Sequence, residues 1–146
     1  MKEKILNHLL PHLESSISSF QESINELKEI WDIDENSTID PDDLSQQNES
    51  KDMEMRYNLQ LQQAKNDLIA VKQLMTSKND SISLGALIDT DKKYFFIGIS
   101  NPVIDAGGKE LICVSTKAPA YAALEGKKPG DNFQLGKESY TISNIY

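Results

Sequence analysis

Ser77-Lys78-Asn79-Asp80-Ser81 divides the chain into two kinds of pattern. Before it, Met53, Tyr57, Leu61, Ala64, Leu68, Val71 and Met75 recur at steps of 4, 4, 3, 4, 3 and 4. That is the stripe of an amphipathic helix. After it the apolar residues crowd into short runs, the first being Leu84-Gly85-Ala86-Leu87-Ile88-Asp89. Such runs, bounded by turn formers, read as strands. The polar stretch between the two patterns is a predicted domain boundary.

Upstream, the helical period continues to the N-terminus. Ile5, Leu9, Leu13, Ile17, Phe20, Ile24, Leu27 and Trp31 step by 4, 4, 4, 3, 4, 3 and 4. This predicts a first helix over about 2–31. Pro11 interrupts it and predicts a kink or a second start, because the proline ring clashes with the preceding turn. Residues 32–50 lose the period and are rich in Asp, Asn and Ser, with Pro41 among them, which predicts a loop. The second helix is expected over about 51–76. Two matching stripes joined by a polar connection predict an antiparallel hairpin, a coiled coil with arms on the order of 40 Å long. The hairpin is assigned to residues 1–78, with an acidic tip around 32–52.

Downstream, residues 82–146 are expected to form a small antiparallel β domain. Tyr94–Ile99, Leu111–Val114, Asn132–Leu135 and Tyr140–Ile145 supply further strands, and Pro119–Leu124 one short helix with Ser115 and Thr116 as candidate caps. Asp89–Lys92 and Asp105–Lys109 are expected turns, the second with two glycines free to take positive φ. The fold class is therefore α+β.

The 146 residues carry a net charge of −8, and its distribution matters more than its size. Residues 1–80 hold 16 acidic against 8 basic side chains, whereas residues 81–146 hold 7 of each. Between Glu29 and Glu54 there are ten acidic residues and one basic one, Lys51. An acidic element does not grip a phosphate backbone. Contact with RNA or DNA is therefore expected only indirectly, through a partner, or through lysines of the second half. No apolar run approaches the roughly 18 residues of a membrane span, and the N-terminus lacks a signal-peptide pattern. Cys113 is the sole cysteine, so no internal disulfide can form. These features fit a cytoplasmic protein.

The second half contains Ala118-Pro119-Ala120-Tyr121-Ala122-Ala123-Leu124-Glu125-Gly126-Lys127-Lys128-Pro129-Gly130-Asp131. This stretch resembles the C-terminal signature of the GreA/GreB family of bacterial transcript-cleavage factors. That signature is Ser-Pro, a short helix ending Ala-Leu, Gly-Lys, two residues and Gly-Asp. The tail Tyr140–Tyr146 is similar to the family's last strand, and a long hairpin precedes the domain as in the family. The chain also looks like a group of short Gre-like proteins of the Bacteroidetes. One departure is Ala118 in place of the family's serine, which removes a capping oxygen that Thr116 or Ser115 could replace. The residues themselves explain much of the motif structurally. Proline starts a helix, Gly126 ends it in the αL region, and Gly130-Asp131 turns the chain. Lys127 and Lys128 are left as candidate partner contacts.

The resemblance implies a hairpin that enters the secondary channel of RNA polymerase and an FKBP-like β domain. It implies a factor for transcription elongation that is not itself an enzyme and has no cofactor of its own. In the family, tip carboxylates in a motif close to Gly-Asp-Leu-Ser-Glu-Asn help hold the second Mg²⁺ of the polymerase active site. Two-metal hydrolysis needs both ions, and Mg²⁺ prefers carboxylate, water and phosphate oxygens. Here the matching stretch is Asp42-Asp43-Leu44-Ser45-Gln46-Gln47-Asn48-Glu49. Asp43-Leu44-Ser45 falls on Asp-Leu-Ser, but the second acidic position falls on neutral Gln46. Asp43 is thus the first candidate for the shared Mg²⁺, with Asp42 or Glu49 (or Asp40) as partner. The same acids, read plainly, are a solvated loop and a helix N-terminus.

Other signals are weaker. His8 and His12 have an i, i+4 spacing that can bind metal, but no third ligand is evident. Cys113 lies between Ile112 and Val114 and reads as a buried structural thiol. Three rivals remain to the cleavage-factor reading. A Gre-fold protein with an altered tip would block the channel without promoting cleavage. An FKBP-like fold suggests a prolyl isomerase, though fold alone does not carry function. A coiled-coil adaptor would bind through an apolar helix face. The expected partner is RNA polymerase, and the chain is expected to be monomeric.

Overall fold

The computed structural model describes the backbone of residues 1–34 and 41–146 and the side chains of residues 1–29 and 48–146. The elements run α1 (Lys2–Leu6), α2 (Leu10–Asp34), α3 (Pro41–Leu74), β1 (Leu87–Thr90), β2 (Tyr94–Ile97), β3 (Asn101–Asp105), β4 (Glu110–Val114), α4 (Pro119–Leu124), β5 (Asn132–Leu135) and β6 (Glu138–Ile145). The fold is α+β, a helical hairpin followed by a sheet with one short helix. The chain resolves into two compact units. One is His12–Asn66, and the other joins Met1–Pro11 to Asp67–Tyr146.

The helical unit follows its stripes. Leu13, Ile24, Leu61 and Ala64 are buried, while Ile17, Phe20, Leu27 and Tyr57 are half-buried. The rings of Phe20 and Tyr57 meet with centroids 6.4 Å apart at 38°. The 25 residues of α2 and the 34 of α3 correspond to roughly 37 and 51 Å of helix.

Two expectations are corrected here. The first stripe is not one helix: α1 stops at Leu6, residues 7–9 form a turn, and α2 begins at Leu10 with Pro11 in its first turn. Of the two outcomes Pro11 allowed, the second start is the one realised. A proline is tolerated there because the first-turn N–H groups have no intrahelical acceptor. The loop expected over 32–50 is also largely helical. The α2 helix extends to Asp34, and α3 begins at Pro41, so Asp42 to Glu49 all lie in α3. Pro41 supplies a helical φ at the first position, and acids following it sit at the positive end of the helix dipole. Composition typical of loops is equally typical of a helix start. Asp40 and the side chain of Trp31 lie outside the described residues.

The sheet has six strands in the order β3-β4-β2-β1-β6-β5. The expected antiparallel pattern holds for β1 with β2, β1 with β6, β3 with β4 and β5 with β6. One pair departs from it: β2 runs parallel to β4, with Tyr94 opposite Leu111 and Ile97 opposite Val114. The cause is β3, a strand with no pattern of its own in the sequence. From β2 the chain crosses to the edge as β3, then turns at Gly107 (φ 80°) and Gly108 (φ 96°). It returns as β4 between β3 and β2, and two reversals leave β4 parallel to β2. Pro102 in β3 sits on an edge strand, where a missing N–H is tolerated.

The sheet is covered on both faces. Ile88, Phe95, Ile97, Val114, Phe133, Tyr140 and Ile142 cluster with Leu124 of α4. Phe95 meets Phe133 and Tyr140 edge-on at 5.4 and 5.1 Å, a favoured aromatic geometry. The alternating residues Leu87, Phe96, Leu111 and Cys113 are buried as well. Leu74, at the end of α3, lies against Gly85 and Gly98. The polar segment 77–81, read as a linker, lies inside this unit and is hydrogen-bonded to Lys2.

Candidate functional site

The acid-rich stretch is positioned by α3. Asp42 and Asp43 occupy its first turn, and Glu49 lies further along it, exposed. A helix rises 1.5 Å per residue, so positions 43 and 49 are separated by roughly 9 Å along the axis. Asp42 and Asp43 are adjacent and Gln46 follows one turn later. The side chains of Asp42, Asp43 and Gln46 lie outside the described residues. Among the described residues no group of three His, Cys, Asp or Glu side chains forms a metal site. His8 lies in the turn before α2, so the helical i, i+4 spacing with His12 is not realised.

The family-like stretch 118–131 folds as a helix, a glycine stop and a tight turn. Pro119 opens α4 behind Ala118, which makes no side-chain cap. Among the described contacts, neither Ser115 nor Thr116 supplies the capping oxygen that each could have offered. Ser115 Oγ instead accepts from the backbone N–H of Lys117 at 3.2 Å. Gly126 (φ 78°) ends the helix in the left-handed region, as its position demands. The Asp131 carboxylate accepts from the backbone N–H of Lys128 at 2.8 Å, and Asp131 N–H donates back to Lys128 O at 2.9 Å. Gly130 N–H and Ile142 N–H then tie the turn to β6. This loop presents Lys128 exposed and Lys127 half-buried. The motif's Asp131 thus shapes the loop that carries the two lysines.

A charged network missed by sequence reading lies at the ends of β1, β2, β4 and β6. Lys109 Nζ reaches Asp89 at 2.5 Å and the carbonyl of Thr90, and stands 4.4 Å from the Tyr94 ring centroid. Lys93 pairs with Glu110 at 2.9 Å and lies 3.8 Å from Glu138, which accepts from the Tyr140 hydroxyl at 2.5 Å. The hydrogen bond that Lys93 donates to Glu110 raises the Lys93 pKa. The Tyr140 hydroxyl, with Lys93, lowers that of Glu138. Desolvation raises that of Tyr140. Every charge here has a partner, so the network fastens strand ends and offers no poised acid or base. The register of β2 with β4 creates it, and no local motif announces it.

Cys113 is buried, and desolvation, helped by the nearby charge of Asp67, pushes its thiol up to about 12. A thiol so hard to ionise is no nucleophile, as the apolar run predicted. An open cavity of about 570 Å³ is lined by Met1, Lys2, Glu3, residues 75–80, Ile145 and Tyr146. Its walls carry charges of both signs and single out no ligand class. No helix among the described residues is long and apolar enough to cross a membrane.

No protein-family model and no curated protein sequence matches the chain. Among solved structures, it is similar to the crystal structure of the GreA factor homolog 1 (Gfh1) protein of Thermus thermophilus. The identity is 17% and the TM-score 0.38, over 94% of each chain. A second structure, of the transcription factor Gfh1, is similar at 17% identity and a TM-score of 0.36, over 94% of this chain and 92% of that one.

Proposed function

We propose that this chain binds RNA polymerase in its secondary channel and modulates transcription elongation, promoting cleavage of backtracked RNA. Its helical unit would lend carboxylates to the polymerase's Mg²⁺, with Asp43 as the first ligand and Asp42 as its nearest neighbour. Glu49, a turn and a half further along α3, is the more distant candidate. The observation that carries the reading is α3 itself. A single helix runs from the acid-rich start at Pro41 to Leu74. Such an element presents acids along a rod and encloses no substrate of its own. The stretch 118–131 supports it by folding as helix, αL stop and Asp-closed loop, with Lys127 and Lys128 as candidate polymerase contacts. The chemistry would remain the polymerase's, at a Mg²⁺ held in the polymerase, with nucleic acid met only through the elongation complex. On this reading the protein would act in the cytoplasm, as a monomer.

Gln46 favours a second reading, in which the hairpin occupies the channel and blocks it. An amide brings no charge to an ion that prefers carboxylate oxygens. The prolyl-isomerase rival is weakened by Phe95, Phe133 and Tyr140, which are buried against one another in the core.

The test is a cleavage assay on a stalled, backtracked elongation complex of the cognate polymerase. Asp43→Asn should keep polymerase binding and lower cleavage by roughly a hundredfold, a few kcal/mol of barrier, with partial rescue by added Mg²⁺. Gln46→Glu should raise cleavage. If wild type and Asp43→Asn are equally inert while both bind polymerase, the channel-blocking reading replaces this one. If neither the full chain nor residues 82–146 bind polymerase, both readings fall.

A further inference from the structure

Lys2 is almost wholly buried, at 6% exposure. Its Nζ donates to the backbone oxygens of Ser77 and Gly85, each at 2.7 Å, and to Asn79 Oδ1 at 2.9 Å. Ser77 Oγ lies at 3.1 Å and the Leu74 carbonyl at 3.4 Å. None of these five acceptors is a carboxylate. Buried lysines are ordinarily paired with an opposite charge, so an ammonium held by neutral oxygens alone needs a reason.

The reason lies in where the oxygens come from. Leu74 is the last residue of α3 and Ser77 follows within one turn. Carbonyls at a helix C-terminus have no intrahelical donor and carry the negative end of the dipole. Gly85 adds a carbonyl from the segment before β1. Its φ of 88° and close approach to Leu74, where an added Cβ would stand 2.9 Å from Cδ2, bring that carbonyl into the shell. Neutral carbonyl and hydroxyl oxygens that replace a hydration shell are the chemistry of a monovalent-cation site.

We propose that these oxygens form a monovalent-cation cage whose occupant is the tethered ammonium of Lys2, and that this cage is the lock holding Met1–Pro11 on the sheet unit. The acceptors belong to the end of α3, the 77–79 turn and the approach to β1, whereas the donor belongs to α1. The chain leaves this unit at Pro11 and re-enters it at Asp67. One ammonium therefore ties the outgoing segment to the returning one. The inference is independent of the polymerase reading, since its readouts are structural.

Hydrogen exchange on the full chain tests it. Lys2→Ala empties the cage, and Lys2→Met keeps an apolar stem of similar length without the charge. Both should exchange at least about tenfold faster over residues 3–9 and 75–86, with β2 and β4 unchanged. In Lys2→Ala, n-propylammonium chloride, which matches the missing part of the side chain, should restore protection, and tetramethylammonium chloride should not. Wild-type protection in Lys2→Met, or equal effects of the two salts, would overturn the cage. A measurement on the unaltered chain guards against a variant that fails to fold. With an amine-acylating reagent, Lys2 should react far more slowly than exposed Lys4, and equal rates would overturn the lock.

Discussion

Raising the pH should unfasten the sheet through Cys113, and the size of the effect follows from its burial. Desolvation holds the folded thiol at about 12 against an ordinary value of 9.0. Between those values the unfolded chain ionises and the folded chain does not, so the folded state loses ground as pH rises. The stability at stake is present below about pH 9 and is lost towards pH 12, amounting to about 4 kcal/mol over the full window at 1.36 kcal/mol per unit. At about pH 10.5 the loss would be about 2 kcal/mol. All other groups that titrate in this range are common to wild type and Cys113→Ala, so the difference between the two proteins isolates the thiol. The assay is urea unfolding of each protein at about pH 8 and about pH 10.5, with stabilities from linear extrapolation. Cys113→Ala pays a constant cavity penalty that cancels between the two pH values. Wild type should lose about 2 kcal/mol more than the variant. Equal losses would refute the reasoning, as would rapid reaction of the native protein with a thiol reagent.

Gly85→Ala should lower stability by about 1–3 kcal/mol from the positive φ alone, and further because the new Cβ meets Leu74; a melting temperature unchanged from wild type would contradict this. The ring contact of Phe20 with Tyr57 should give a coupling of about 0.5–1.5 kcal/mol in a double-alanine cycle, read from denaturant unfolding, and additive losses would mean the rings do not support the hairpin.

What was legible in the sequence was whatever leaves a period. The stripe Leu13, Ile17, Phe20, Ile24 and Leu27 is the inward side of α2, because a helix buries every third or fourth residue whatever else it does. The runs at 94–97, 110–114 and 132–135 are strands for a similar reason. Pro119 and Gly126 mark the ends of α4 through local backbone chemistry alone. What was not legible was pairing. Nothing local in Asn101–Asp105 distinguishes an edge strand from a loop, and without β3 the parallel partnership of β2 and β4 cannot be foreseen. The Lys93–Glu110 and Lys109–Asp89 pairs depend on that register. Lys2, in a polar N-terminal run, gave no sign of burial, because its oxygens lie more than seventy residues away.

The start of α3 reads as a loop for a different reason, and its helical placement bears on the functional question. Asp-Pro-Asp-Asp reads as a turn only if the residues after it fail to continue a helix. Leu44 to Asn48 do continue it, and the acids then count as first-turn residues, where the dipole favours them. Helical placement also ranks the carboxylates. Gln46 is four positions from Asp42 and three from Asp43, the two spacings that bring helix positions onto one face. Glu49 is six positions from Asp43, on another face and roughly 9 Å along the axis. The position one turn on from Asp42 and Asp43 is the one occupied by an amide. Under the proposed function, the choice between recruiting an ion and filling a channel therefore turns on Gln46. That is why Gln46→Glu, which adds charge on that face without altering the helix, separates the two readings more sharply than removal of any acid.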